Sequence, residues 1–262
     1  MAVSRLWDTE GSRNVRLYLP FLLATLAWPA AGANKLSRAE RRDGFQLLFD
    51  GKSLRNWHSI RQRPDAGVWT VRKGFLTWKK GGSWLATDDM YYDFVLRLEY
   101  RTRGNSNSGI FLRALPEGNP AFSGMELQIL SDAGKPPGLR STGALYGAVA
   151  PVRNAAKPDG EWNQVEVTVR ERRVVASWNG EKVLDANLDD PAYQHAQQKP
   201  LAERAPYGHV GLQAYNQGEP VEFRNIRIRV LKWGPGFPRT PEPDDPEFRS
   251  PALDRRPPEN RP

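Results

Sequence analysis

The stretch Gly124-Met-Glu-Leu-Gln-Ile-Leu-Ser-Asp132 carries the residue types best suited to chemistry in this chain. Read as a strand, it sends Leu127 and Ile129 to one face and Glu126 and Gln128 to the other. The two polar side chains then stand about 7 Å apart along the chain, with Asp132 near the strand end. A second stretch, Asn105-Ser-Asn-Ser-Gly-Ile-Phe-Leu-Arg113, enters a strand through a turn rich in Asn and Ser. Ile110 and Leu112 face a core, while Gly109, Phe111 and Arg113 share the opposite face. An exposed Phe beside an Arg suits a sugar, because the ring stacks on pyranose C–H groups and the guanidinium binds oxygens. If both polar faces belong to one sheet, Arg113, Glu126 and Gln128 converge on a pocket. A plain solvated outer face is the alternative for the same alternation.

Spacing constrains the reaction. A retaining glycosidase needs two carboxyls about 5.5 Å apart, and an inverting one needs them about 6.5–9.5 Å apart. Glu126-x-Gln128 has an amide where the second carboxylate would stand, and Asp132 lies roughly 20 Å further along an extended chain. One carboxylate base and one cation instead suit proton abstraction next to a carbonyl, with Arg113 stabilising the developing enolate. The three histidines, His58, His195 and His209, are scattered without H-x-x-x-H spacing. With no G-x-S-x-G either, a catalytic zinc motif and acyl transfer are not expected. The sequence requires no cofactor; carboxylate and amide oxygens leave Ca²⁺ or Mg²⁺ possible.

These residues sit in a chain patterned with period two. Phe94, Leu96, Leu98 and Tyr100 alternate with Arg97 and Glu99; Val165, Val167 and Val169 do the same, as do Ile226, Ile228 and Val230 against Arg227 and Arg229. Such alternation predicts half-buried antiparallel strands. Asn179-Gly180, between VVASW and EKVLD, predicts a type I′ hairpin. Further short strands are expected at 68–71, 75–78, 109–113, 124–130 and 209–215, and no amphipathic helix of three turns stands out. Ten or more strands without helical crossovers predict an all-β fold, a two-sheet antiparallel β-sandwich of the jelly-roll kind.

The ends read differently. Arg5, Arg13 and Arg16 precede the apolar run Leu17–Trp28, then Pro29 and the small residues Ala30-Ala31-Gly32-Ala33. These are the parts of a secretory signal with cleavage after Ala33, and the run is too short for the ~20 apolar residues of a membrane span. A periplasmic or secreted protein with no transmembrane segment in its mature chain is therefore expected. Residues 34–43 read as a short charged linker, 44–233 as the sandwich domain, and 234–262, with nine prolines, as a disordered tail. The absence of cysteine excludes disulfides, thiolate metal sites and a cysteine nucleophile. The net charge of +8 contains no run of five basic residues, so nucleic acid is not the expected partner; anionic polysaccharide or a solvated surface fits an exported chain.

In order along the chain, the segments GFQLLFDGKSLRNW (44–57), VWTVRKGFL (68–76), WLATDDMYYDFVLRLEYR (84–101), NSGIFLR (107–113), GMELQIL (124–130), TGALYG (142–147), KPDGEWN (157–163), WNGEKV (178–183) and VGLQ…VEFRNIRI (210–228) resemble the 3-keto-disaccharide hydrolase domain family. The resemblance implies a concanavalin-like lectin/glucanase fold and action on a 3-keto-glycoside, a disaccharide or oligosaccharide. An oxidised C3 makes the C2 proton acidic; its removal expels the glycosidic oxygen at C1, and water adds to the product. Carried over, Glu126 is the base, and Arg113 steadies the 3-keto oxygen. Gln128 and Asn107 bind sugar hydroxyls, and Lys157 supplies a second cation near Trp162. Tyr146 or Asp132 assists the leaving oxygen, while Trp162 and Tyr146 have core packing as their alternative. Two departures stand out: Ala214-Tyr215 replaces an Asp-His pair common in relatives, and Ser177 stands where relatives often have His. A non-catalytic, lectin-like sugar-binding module and an envelope-associated protein tethered by the Pro-rich tail are the competing readings.

Overall fold

The computed structural model describes residues 33–60, 69–79, 82–194 and 199–233. The secretory leader read over residues 1–33, all but its last residue Ala33, and the Pro-rich tail lie outside the described residues. In chain order the elements are α1 (Arg38–Arg42), β1 (Gln46–Leu47), β2 (Trp57–Ile60), β3 (Trp69–Arg72), β4 (Phe75–Trp78), β5 (Ser83–Arg101), β6 (Asn107–Ala114), α2 (Pro120–Ser123), β7 (Met125–Leu130), β8 (Asn163–Arg170), β9 (Arg173–Trp178), β10 (Glu181–Asn187), β11 (Gly208–Ala214) and β12 (Glu222–Trp233). All the pairings between these strands are antiparallel.

Hydrogen bonding joins the two layers of the sandwich into one 12-stranded sheet, because β5 runs through both. The first half of this 19-residue strand pairs with β2 and β11, giving a front layer β2-β5-β11-β6-β7. Its second half pairs with β8 and β12, giving a back layer that continues through β9 and β10 on one side and β4 and β3 on the other. The predicted alternation sets what lies between. Phe94, Val169 and Val174 form one row across the back layer; Leu96, Val167 and Ala176 form the next; Leu98, Val165 and Trp178 form a third. Leu85, Leu212, Ile110 and Leu127 are buried against them from the front layer. The fully buried Trp178 donates its indole N–H to the Tyr100 hydroxyl at 2.9 Å, so the core holds this polar group without leaving it unpaired.

The hairpin between β9 and β10 turns at Asn179 and Gly180, whose φ values of 52° and 84° are those a type I′ turn requires. The stretch 34–43, expected as a linker, is instead folded against the domain. Ser37 and Glu40 form a reciprocal capping box on α1. Glu40 is buried and pairs with Arg97 and Arg227, and Asn34 and Asn225 each donate a backbone N–H to the other's side-chain Oδ1. The Ser-x-x-Glu signature of that cap was present in the sequence.

Candidate active site

The outer face of the front layer collects the chemistry, and strand register says which side chains share it. Cross-strand partners lie on the same face, so Glu126 stands with Phe111, Gly211, Ala86 and His58 in one row across five strands. The neighbouring row holds Gln128 opposite Gly109, and Gln213 opposite Trp84. Ile110, Leu127, Leu85 and Leu212 point the other way, into the core. Sequence alternation therefore places Glu126, Gln128 and Phe111 on one face, and Asn107, named from the resemblance, joins them at the start of β6.

Glu126 occupies a hollow that a glycine makes. A Cβ on Gly109 would stand 1.8 Å from Glu126 Oε1 and 2.6 Å from its Cγ and Cδ, so the carboxyl lies over bare backbone. Its cross-strand partner Phe111 packs with Ala114 and Ala121, with Trp84 and Phe122 alongside. Glu126 is 3% exposed, and its Oε1 has no hydrogen-bond partner. Burial alone pushes its carboxyl up to about 8, with no neighbouring charge contributing. A carboxyl in that range exchanges its proton near neutral pH, as a general base or acid must. Gln128 turns its Oε1 to the Ile129 N–H at 3.1 Å, which leaves its amide NH₂ as the donor end on this face.

The outer edge of β7 is closed by residues 142–149. The Tyr146 backbone N–H donates to the Glu126 carbonyl at 2.9 Å, the Gln128 backbone N–H donates to the Ala144 carbonyl at 3.0 Å, and Leu127 bridges Leu145. Tyr146 thus extends the Glu126 row, its ring 6.4 Å from that of Phe122 and 5.9 Å from the Arg140 guanidinium. Asp132 holds this segment in place: its two oxygens accept the Thr142 hydroxyl at 2.6 Å and the Thr142 N–H at 3.0 Å. Its position makes it a buried tether, not a group facing the site.

Three expected residues are elsewhere. Arg113 does not join Glu126 and Gln128. Its backbone adopts φ 55°, which breaks the strand alternation, so that Ala114 takes the face of Phe111. The Arg113 guanidinium is fully buried and bonds the Tyr92 carbonyl at 2.7 Å, the Glu171 carbonyl at 2.8 Å and Asp93 at 2.9 Å. Trp162 belongs to the outside of the back layer, stacked under Arg224 at 3.8 Å and Arg101 at 4.8 Å and against Phe75. Lys157 lies beside it, donating to the Trp162 carbonyl at 3.3 Å. Both are off the Glu126 face because the loop that carries them leads into β8, a back-layer strand.

Of the two departures from the family pattern, Ser177 lies opposite Glu166 and Lys182 on the outside of the back layer. Ala214 is buried in the core, and Tyr215 is exposed just past the end of β11. Sequence reasoning missed Trp84 and Gln213, and also His58 and His209, whose rings meet with centroids 5.3 Å apart. Burial lowers the His209 pKa, against a hydrogen bond to the Thr87 carbonyl, so this imidazole is neutral at pH 7. A glycine inside a strand, Gly109, was the one legible sign of a close approach.

Comparisons with known proteins agree with this architecture. A 3-keto-disaccharide hydrolase of Bacteroides thetaiotaomicron is 29% identical over 244 residues, covering 77% of this chain and 83% of that protein. A candidate glycosyl hydrolase structure from Parabacteroides distasonis superposes with a TM-score of 0.67 at 24% identity, over 77% of this chain and 100% of that one. A second from the same species gives 0.61 at 27% identity, over 71% and 99%. The family model described as a 3-keto-alpha-glucoside-1,2-lyase-like domain matches residues 44–229, from just before β1 to within β12 and including every strand of the Glu126 face. The chain therefore belongs to the 3-keto-alpha-glucoside-1,2-lyase-like family.

Proposed function

We propose that this protein is a carbohydrate-active enzyme that cleaves 3-keto-glycosides, with Glu126 as the base. One observation carries the reading: a single buried carboxyl with an unpartnered oxygen, raised to about 8 by burial and not by a second carboxylate. Two-carboxylate hydrolysis needs a coupled acid within about 10 Å, and Glu126 carries no such coupling. Proton abstraction beside a carbonyl needs one base.

In this scheme the Glu126 carboxylate takes the C2 proton, and the electron pair passes to the 3-keto oxygen as an enolate. The pair returns to form the C1–C2 double bond as the glycosidic oxygen leaves C1. The leaving oxygen takes up a proton, which the Glu126 acid can return. Water adds across the double bond, restoring a 3-keto sugar. With Arg113 committed to Asp93, the Gln128 amide, in the next row of the same face, is the donor beside this base. Trp84, held edge-on by the fully buried Phe111, supplies the aromatic surface that a pyranose stacks on.

The names of the family model and of the Bacteroides relative support this substrate class. Export belongs to the same proposal: Ala33 is exposed and Asn34 is buried, so the fold takes hold directly after the small-residue cleavage signal. Purified protein should release aglycone from a 3-keto-glucoside, and Glu126→Gln should abolish release while leaving the circular dichroism spectrum unchanged. Saturable sugar binding with no turnover of any keto-glycoside would instead identify a binding module.

A further inference from the structure

Removing a proton next to a carbonyl leaves a negative oxygen one carbon away, so hydrogen-bond donors must stand beside the base. The two rows of side chains around Glu126 offer few. One runs Glu126, Phe111, Gly211, Ala86 and His58 across β7, β6, β11, β5 and β2; the next runs Gln128, Gly109, Gln213, Trp84 and Ile60. Neither row contains a lysine or arginine, and His58 stands at the far end of its row. The Glu126 carboxyl lies over the bare backbone of Gly109, and two carboxamides flank that glycine. Gln128 is its partner on β7; Gln213 follows Leu212, the partner of Ile110, and so stands beside Gly109 on β11. Ser108 fixes this approach by donating its hydroxyl to the Gln213 carbonyl at 2.6 Å.

Cross-strand partners are about 4.5–5.5 Å apart, so the Gln128 and Gln213 backbones stand about 10 Å apart with no side chain on the residue between. Among the described residues, neither the Gln128 NH₂ nor the Gln213 carboxamide has a hydrogen-bond partner. We propose that Gln213 is a catalytic residue: its amide and that of Gln128 donate to the 3-keto oxygen from either side and hold it as the enolate. This rests on the proton-abstraction reading above. As Glu126 takes the C2 proton, the C–H pair becomes the C2–C3 double bond and the carbonyl pair moves to the oxygen, where the amide N–H groups meet it. Neutral donors suit this base. A guanidinium or ammonium in the same place would pull the carboxyl down, whereas burial raises Glu126 to about 8 with no neighbouring charge.

The test uses the full chain and two sugars: a 3-keto-glucoside, and 1,5-anhydroglucitol oxidised at C3, which has the acidic C2 proton but no leaving group at C1. Gln213→Met keeps the length of the side chain and removes its donors. Loss of one oxyanion donor should cut kcat on the glucoside about 100- to 1,000-fold with KM within a few-fold. Exchange of the C2 hydrogen of the anhydro sugar in D₂O should slow by the same factor. Gln213 is partly exposed, so the variant's circular dichroism and urea unfolding should match those of the unaltered protein. A raised KM with unchanged kcat would make Gln213 a hydroxyl-binding residue, and slowed cleavage with unchanged exchange would move it to the leaving group; either result overturns the assignment. If the unaltered protein neither cleaves the glucoside nor exchanges the C2 hydrogen, the proton-abstraction reading itself falls.

Discussion

Glutamine in place of Glu126 tests the buried carboxyl through stability, separately from turnover. Burial moves this group from 4.5 to about 8. Below pH ~4.5 the carboxyl is protonated in both folded and unfolded chains, and its burial carries no ionisation cost. Between 4.5 and 8 the unfolded chain releases the proton and the native chain holds it, so stability falls as pH rises. Above 8 both states ionise and the penalty levels off. At about 1.36 kcal/mol per pKa unit, the penalty reaches about 3 kcal/mol at pH 7 and at most about 5 kcal/mol above pH 8. Glutamine has nearly the same shape and no such titration. Urea unfolding followed by tryptophan fluorescence should therefore give matching stabilities at pH 4, and a variant more stable by several kcal/mol at pH 8. A difference of the same size at both pH values would refute a carboxyl held neutral by burial.

Three further variants separate the front face from the rest of the molecule. Gly109→Ala puts a methyl 1.8 Å from Glu126 Oε1 and expels the carboxyl from its hollow. The turnover number on a 3-keto-glucoside should drop about 100-fold, and the acid limb of the pH–rate profile should move to lower pH as the carboxyl becomes wetter; an unmoved limb contradicts the hollow. Asp93→Ala strands the fully buried Arg113 cation and should cost about 3–5 kcal/mol in chemical denaturation. Turnover by the folded fraction should stay within a few-fold, whereas a loss of two orders of magnitude would return Arg113 to the chemistry. Trp162→Ala removes a ring on the back layer and should leave KM for the keto-glycoside unchanged; a large rise in KM would place sugar there.

Wherever one local rule governed, the sequence was a good guide. Strict alternation over 94–100 and 165–169 reproduces the observed rows, and the Asn179-Gly180 turn has the backbone its residues demand. Glu126, Gln128 and Phe111 follow from the same rule. Arg113 does not, because one left-handed residue at a strand end reverses which face the chain presents, and a side chain that long then finds Asp93, 20 positions away in sequence. His58 and His209 have no spacing to betray them, since β2 and β11 become neighbours only through β5. Lys157 and Trp162 were adjacent to the site in motif order but not in space, because the connection from 150 to 162 carries the chain from the front layer to the back. Continuous β5 hides the same way: alternation marks only its second half, 94–100, and nothing in that pattern says that the strand begins at Ser83 or where it passes between layers.

The central claim is that Glu126 removes the C2 proton and that the glycosidic bond breaks by elimination. Cleavage of a 3-keto-glucoside in D₂O, with the product's C2 position read by mass spectrometry and proton NMR, tests it most directly. Elimination and rehydration predict one deuterium at C2 of the released 3-keto sugar, formed only by protein with Glu126 intact. Product that keeps its original C2 hydrogen, released at the same rate, would contradict the account.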